Sequence, residues 1–158
     1  MIEYFYEKEI RSLNENQIKY LVVGGVAVNL YGLRRLTRDL DLMIDLSSAH
    51  FDKFLRIMGE LRYFTNIPEE KWKDLVAIAF RCQDDPDKRI DVFMRNPIDF
   101  EQAYKNRKIF ETGDFIIDCV GWDDLLEMKN KADRLRDWID VGSLQRLKEL
   151  EENEKKNK

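Results

Sequence analysis

Residues 20–45, YLVVGGVAVNLYGLRRLTRDLDLMID, constrain this chain more than any other stretch. Tyr20 to Val23 is an apolar run too short for a helix and rich in strand formers. Gly24 and Gly25 break it, Val26 to Tyr31 reads as one or two helical turns, and Gly32 ends them. A basic link with Arg34, Arg35, Thr37 and Arg38 leads into a second strand, Asp39 to Ile44. Strand, tight turn, short helix, basic link and second strand thus follow one another within one short stretch.

The chemistry sits at the end of that stretch. Side chains alternate along a strand, so Asp39 and Asp41 share one face while Leu40 and Leu42 share the other. Two neighbouring carboxylates repel unless a cation sits between them, and hard oxygen donors suit Mg2+ or Mn2+. A Gly-Gly turn at a helix start exposes backbone N–H groups and the positive helix end, which favours phosphate. Taken singly, the glycines read as an ordinary turn and the acids as the wet face of a sheet. In this order they point to a metal–triphosphate site.

The remainder of the chain supplies the scaffold. Residues 2–16 read as one helix, with Ile2, Phe5, Ile10 and Leu13 near one face. Ser47 and Ser48 can cap a helix whose apolar stripe is Phe51, Phe54, Leu55, Met58 and Leu61. His50, the one histidine, reads as a surface residue. Residues 65–74 read as a loop or helical turn, in which Trp72 covers either the sheet or the site. Leu75 to Cys82 and Arg89 to Met94 read as a hairpin closed by QDDPDK. Asp91 is a lone carboxylate among apolar strand residues. It is either an outward-facing strand residue or, if its strand lies beside Asp39 and Asp41, the third acid of one site. Pro97 to Lys108 reads as a helix and Phe115 to Val120 as a strand, whose Asp118 is a weaker metal candidate. Residues 123–150 read as helix in two pieces, with Leu135, Trp138, Ile139 and Leu147 facing the core, before a charged, frayed tail, residues 151–158.

Composition excludes several classes. A chain of 158 residues with 44% hydrophobic content supports one domain. Net charge of −4 argues against a protein that coats nucleic acid. No apolar run approaches membrane-spanning length, and MIEYFYE is acidic and lacks the apolar core of a signal peptide, so a cytoplasmic location is expected. Cys82 and Cys119 fall in strand-like runs and read as small buried hydrophobes, not as a disulfide.

Gly24-Gly25 followed by Arg35-x-Thr37-x-Asp39-Leu40-Asp41 resembles the first motif of the nucleotidyltransferase superfamily, the polymerase-beta-like fold. Within it the chain is most similar to the AbiEii-type group, which includes toxins of toxin–antitoxin systems. Many superfamily members carry Gly-Ser at the turn; Gly-Gly also occurs in the AbiEii-type branch. The resemblance covers about Tyr20 to Leu147, and it implies that Asp91 is the third acid. It also matches Lys129, Arg134 and Asp137, with Asp140 three residues further, to a later motif of that group. Read without it, these charges are a surface helix laced with ion pairs.

The expectation is therefore one α/β (α+β) domain, residues 1–150, with a small mixed β-sheet flanked by helices and a helical C-terminus. The expected reaction moves a nucleoside monophosphate from an NTP to a hydroxyl, with Mg2+ or Mn2+ on Asp39, Asp41 and Asp91. Gly24, Gly25, Arg35, Thr37 and Lys129 are the expected nucleotide contacts. The resemblance implies a tRNA end, a protein or a small molecule as acceptor, with tRNA the first choice, and an antitoxin protein as partner. Two rivals stay open: a non-catalytic module that binds nucleotide or antitoxin, and metal-dependent phosphoester hydrolysis on the same acids.

Overall fold

A computed structural model describes residues 2–132 and 135–157, and the side chains of residues 4–132 and 139–157. The expectations placed on Arg134, and on the side chains of Ile2, Leu135, Asp137 and Trp138, lie outside the described residues.

Strand β1 (Tyr20–Val23) lies at the heart of the sheet because all four of its residues are apolar on both faces, and all four are buried. It pairs antiparallel with β2 (Asp39–Ile44), in the register Val22 to Leu42 and Val23 to Asp41. Between them runs α3 (Gly24–Leu30), stopped at Gly32, whose φ of +113° only glycine adopts readily. Strand β2 pairs parallel with β5 (Arg89–Phe93), which sets Asp39 opposite Arg89 and Asp41 opposite Asp91. With β3 (Tyr63–Phe64), β4 (Ala77–Cys82), β6 (Lys108–Thr112) and β7 (Phe115–Cys119), the described residues form a seven-stranded mixed sheet of order β3-β4-β5-β2-β1-β7-β6. Its β2 and β5 strands alternate as their sequences demand: Leu40, Leu42, Ile90 and Val92 enter the core, and Asp39, Asp41, Arg89 and Asp91 take the other face.

Helix α4 (Ser48–Glu60) buries Phe54, Ile57 and Met58. Trp72, on a short 3-10 helix (Glu69–Asp74), packs edge-on against Phe51 of that helix and Phe80 of β4. It therefore covers the sheet, not the acidic face. His50 is half-buried and bridges chain segments: Lys19 N–H donates to its Nε2 at 2.9 Å, and its Nδ1 lies 2.8 Å from the Asp45 carbonyl. Both cysteines are free.

Four expectations give way. The N-terminal helix is two pieces, α1 (Ile2–Phe5) and α2 (Glu7–Glu15), parted at Tyr6. Tyr6 is fully buried there; its hydroxyl donates to the Arg38 carbonyl and accepts the Arg89 N–H at 3.1 Å, tying together the starts of β2 and β5. Burial pushes that hydroxyl's pKa up to about 12. The expected helix over residues 97–108 is shorter, α5 (Phe100–Lys105), capped by Asp99 accepting from the Gln102 N–H. Lys108 instead begins the edge strand β6. Two helices do follow, α6 (Trp122–Ala132) and α7 (Leu135–Lys156), but α7 continues through Glu151–Lys156 where a frayed tail was expected. Glu151 and Glu152 precede Lys155 and Lys156 by four residues, the favourable order for helical ion pairs. Ile139 is 59% exposed and not in the core; Asp140, Val141 and Leu144 take the buried face of α7.

Candidate active site

A cavity of about 340 Å³ opens on the polar face of β2 and β5, beneath α6. All eight residues singled out from the sequence line it: Gly24, Gly25, Arg35, Thr37, Asp39, Asp41, Asp91 and Lys129. Asp118 does not; it sits on β7 with Arg107 Nε 3.2 Å away.

Both glycines are demanded by close approach, each by a different neighbour. Gly24 has φ of +67°, and a Cβ there would stand 2.2 Å from Asp41 Oδ2. The backbone at the β1–α3 junction is thus packed directly against the carboxylate. A Cβ on Gly25 would meet Thr37 Oγ1 at 2.8 Å. The need for glycine at both positions comes from the protein's own side chains, Asp41 and Thr37, whereas the sequence suggested room for phosphate. Val23 stands at the N-cap of α3 and has no side-chain acceptor to offer its first turn.

The 32–38 link is held by Asn29, whose side chain accepts the Arg35 N–H at 2.8 Å and donates to the Arg35 carbonyl at 3.1 Å. Arg35 and Lys129 converge on one carboxylate: Arg35 pairs with Asp140 Oδ2, and Lys129 Nζ lies 3.1 Å from the same oxygen. Asp140 and Lys129 are 7% and 6% exposed, so this is a buried pair tying α6 to α7 and to the link. Of the reading of this helix as a surface element laced with ion pairs, the ion pairing holds at Lys129, but the residue is buried, not on the surface.

The acids are unequal. Asp41 is pushed up to about 7, by burial first, then by the charge and hydrogen bond of Asp91 and the charge of Asp39, while Lys129 draws it back. Opposite it, Asp91 accepts from Arg89 Nε at 2.7 Å. Arg89 Nη1 also stands 4.0 Å from Asp39 Oδ2. The sequence reading missed Arg89, although its two-residue spacing from Asp91 puts both on one face of β5. Among the described residues, no three His, Cys, Asp or Glu side chains stand close enough together to hold a metal ion. The donor chemistry nevertheless fits a divalent metal: carboxylates face one another across adjacent strands, and their mutual repulsion shows in Asp41. The remaining wall is apolar, from Leu36, Phe93, Leu125 and Met128. Leu36 at the mouth is 94% exposed.

This mixed sheet flanked by helices, with its helical C-terminus, matches nucleotidyltransferase-like folds. Solved structures agree. The chain is similar to the lincosamide antibiotic adenylyltransferase LnuA in its lincomycin-bound form, with TM-score 0.64 and 18% identity over 92% of this chain and 96% of that one. It is similar to an antigenic nucleotidyltransferase-like protein from Paracoccidioides brasiliensis, with TM-score 0.63 and 15% identity over 90% and 74%. It is also similar to ANT(2'')-Ia in complex with adenylyl-2''-tobramycin, with TM-score 0.58 and 15% identity over 89% and 85%. At these identities the likeness shows the fold. No protein-family model matches the chain. No curated protein matches it. Among the described residues, no helix is long and apolar enough to cross a membrane.

Proposed function

We propose that the protein is a nucleotidyltransferase that moves a nucleoside monophosphate from an NTP to the hydroxyl of a small-molecule acceptor. The observation that carries this is the parallel register of β2 and β5, which sets Asp41 opposite Asp91 beside the Gly24 backbone, in a cavity also lined by Arg35, Thr37 and Lys129. Mg2+ or Mn2+ on Asp39, Asp41 and Asp91 would neutralise the triphosphate and the charge that develops on the leaving pyrophosphate. The chain's own groups do the rest. The N–H groups at Gly24 and Gly25, the Thr37 hydroxyl and the Arg35 and Lys129 cations orient the phosphates. Asp91 receives the acceptor hydroxyl proton as that oxygen bonds to the α-phosphorus and the bond to pyrophosphate breaks. The apolar wall of Phe93, Leu125 and Met128 holds the non-polar parts of the bound molecules and excludes water. A small acceptor suits a cavity of this size, and the acceptors named for similar structures, lincomycin and tobramycin, are small molecules.

The assay pairs each labelled NTP and Mg2+ with a panel of hydroxyl-bearing small molecules and, separately, bulk tRNA. Label on a small molecule supports the proposal. Label on tRNA moves the acceptor to the class implied by the toxin resemblance and makes an antitoxin partner the next question. Nucleotide released without acceptor marks a hydrolase, and no turnover at all marks a binding module. The Asp91→Asn protein is expected to lose transfer at least 100-fold, about the lower bound for a proton-transfer group, while its NTP affinity stays within about twofold. Transfer at the parent rate by that variant would remove Asp91 from the mechanism.

A further inference from the structure

We infer that Arg89 is a built-in counter-cation of the acid cluster, which competes with the divalent metal for Asp91 and Asp39 and must leave them before the metal is fully held. The inference rests on the transferase reading above. Two observations carry it. Arg89 faces the acids by register: it lies opposite Asp39 across the β2–β5 ladder and two residues before Asp91 on the same strand face. Its guanidinium bonds Asp91, with Nε at 2.7 Å from Oδ1, and stands at the edge of ion-pair range of Asp39, with Nη1 at 4.0 Å from Oδ2.

The physical reason is charge balance. Asp39, Asp41 and Asp91 crowd one face of two adjacent strands, and their repulsion has to be relieved in any state that lacks metal. Lys129 assists from the far side of the cavity, but it is committed to Asp140. Arg89 provides the compensation on the side of Asp91. Its side chain is 36% exposed, so it can turn to solvent without a large desolvation change. Its backbone stays fixed meanwhile, because the Arg89 N–H is held by the Tyr6 hydroxyl at 3.1 Å. Only the side chain need move, and the strand that carries Asp91 keeps its register. A metal that binds therefore meets a formed backbone and displaces one guanidinium.

The test measures Mg2+ binding by calorimetry in the parent, in Arg89→Gln and in Arg38→Gln. Arg38 is a control of equal charge: its side chain is 72% exposed, near Asp87 at 3.9 Å, and it does not touch the acids. Arg89→Gln is expected to bind Mg2+ about tenfold more tightly or better, the scale of removing one charge in direct contact, and Arg38→Gln to change less than about twofold. A second readout needs no variant. In the parent, the Arg89 Nε–H resonance is expected to lose its hydrogen-bonded shift and exchange protection as Mg2+ saturates. Saturable Mg2+ binding that is the same in parent and Arg89→Gln, equal tightening in Arg38→Gln, or an Nε–H signal that persists at saturation overturns the proposal and leaves the transferase reading standing. Absence of Mg2+ binding in all three proteins, with and without ATP, overturns both. If Arg89→Gln fails to fold, the resonance experiment on the parent decides.

Discussion

Replacing Asp41 with Asn should make the metal-free protein more stable at pH 8. The magnitude follows from the carboxyl's position. Its pKa rises from 3.8 to about 7 in the folded state, and each unit corresponds to about 1.36 kcal/mol. The upper bound is therefore about 4 kcal/mol, and we expect about 2–4 kcal/mol because Asn gives up the attraction of Lys129. The sign follows from proton uptake. A folded pKa above the unfolded one means that the native state binds more protons between about pH 4 and 7, so stability falls as pH rises through that window and the full cost is present above it. The gain from Asp41→Asn should thus be near zero at pH 4, grow through pH 7 and level off at pH 8. Urea unfolding in EDTA at pH 4.5, 6, 7 and 8 reads this directly, with roughly 10 °C in Tm as the companion signal at pH 8. Added Mg2+ should stabilise the parent and much less the variant, since a ligand of the folded state adds stability only where it binds. An Asp41→Asn protein no more stable than the parent at pH 8, or equally stabilised at pH 4.5, would show that Asp41 is not a strained buried carboxylate.

Gly24→Ala should destabilise by at least about 1–2 kcal/mol, the cost of a left-handed residue with a side chain, with a further penalty because its Cβ would overlap Asp41 Oδ2; urea unfolding checks it, and a neutral result would mean that the junction relaxes freely. Asp140→Asn should cost about 3–5 kcal/mol, the scale of removing one partner from a buried ion pair, and should also weaken NTP binding by loosening Arg35 and Lys129. Calorimetry with a non-hydrolysable NTP separates the two effects, and unchanged stability would show that the two cations have other compensation.

Period-2 alternation in Asp39–Ile44 and Arg89–Phe93 let the sequence alone determine which faces are wet. The apolar run before Gly24-Gly25 and the order turn, link, Asp-x-Asp similarly determined that a glycine turn precedes an acid-bearing strand, because these are local patterns of spacing and residue type. What local patterns cannot carry is the identity of a partner far along the chain. Only the tertiary structure decided that β5 lies parallel beside β2, which turns Asp91 from a lone strand acid into the neighbour of Asp41. Only it decided that Asp140, 105 residues from Arg35, takes a buried position on α7 in place of Ile139. A charge is buried where opposite charges meet it, and that meeting depends on how two helices and a loop pack, not on hydropathy. Tyr6 is the same lesson at the other end of the chain: its burial and its bonds to Arg38 and Arg89 break a helix that periodicity alone would have continued.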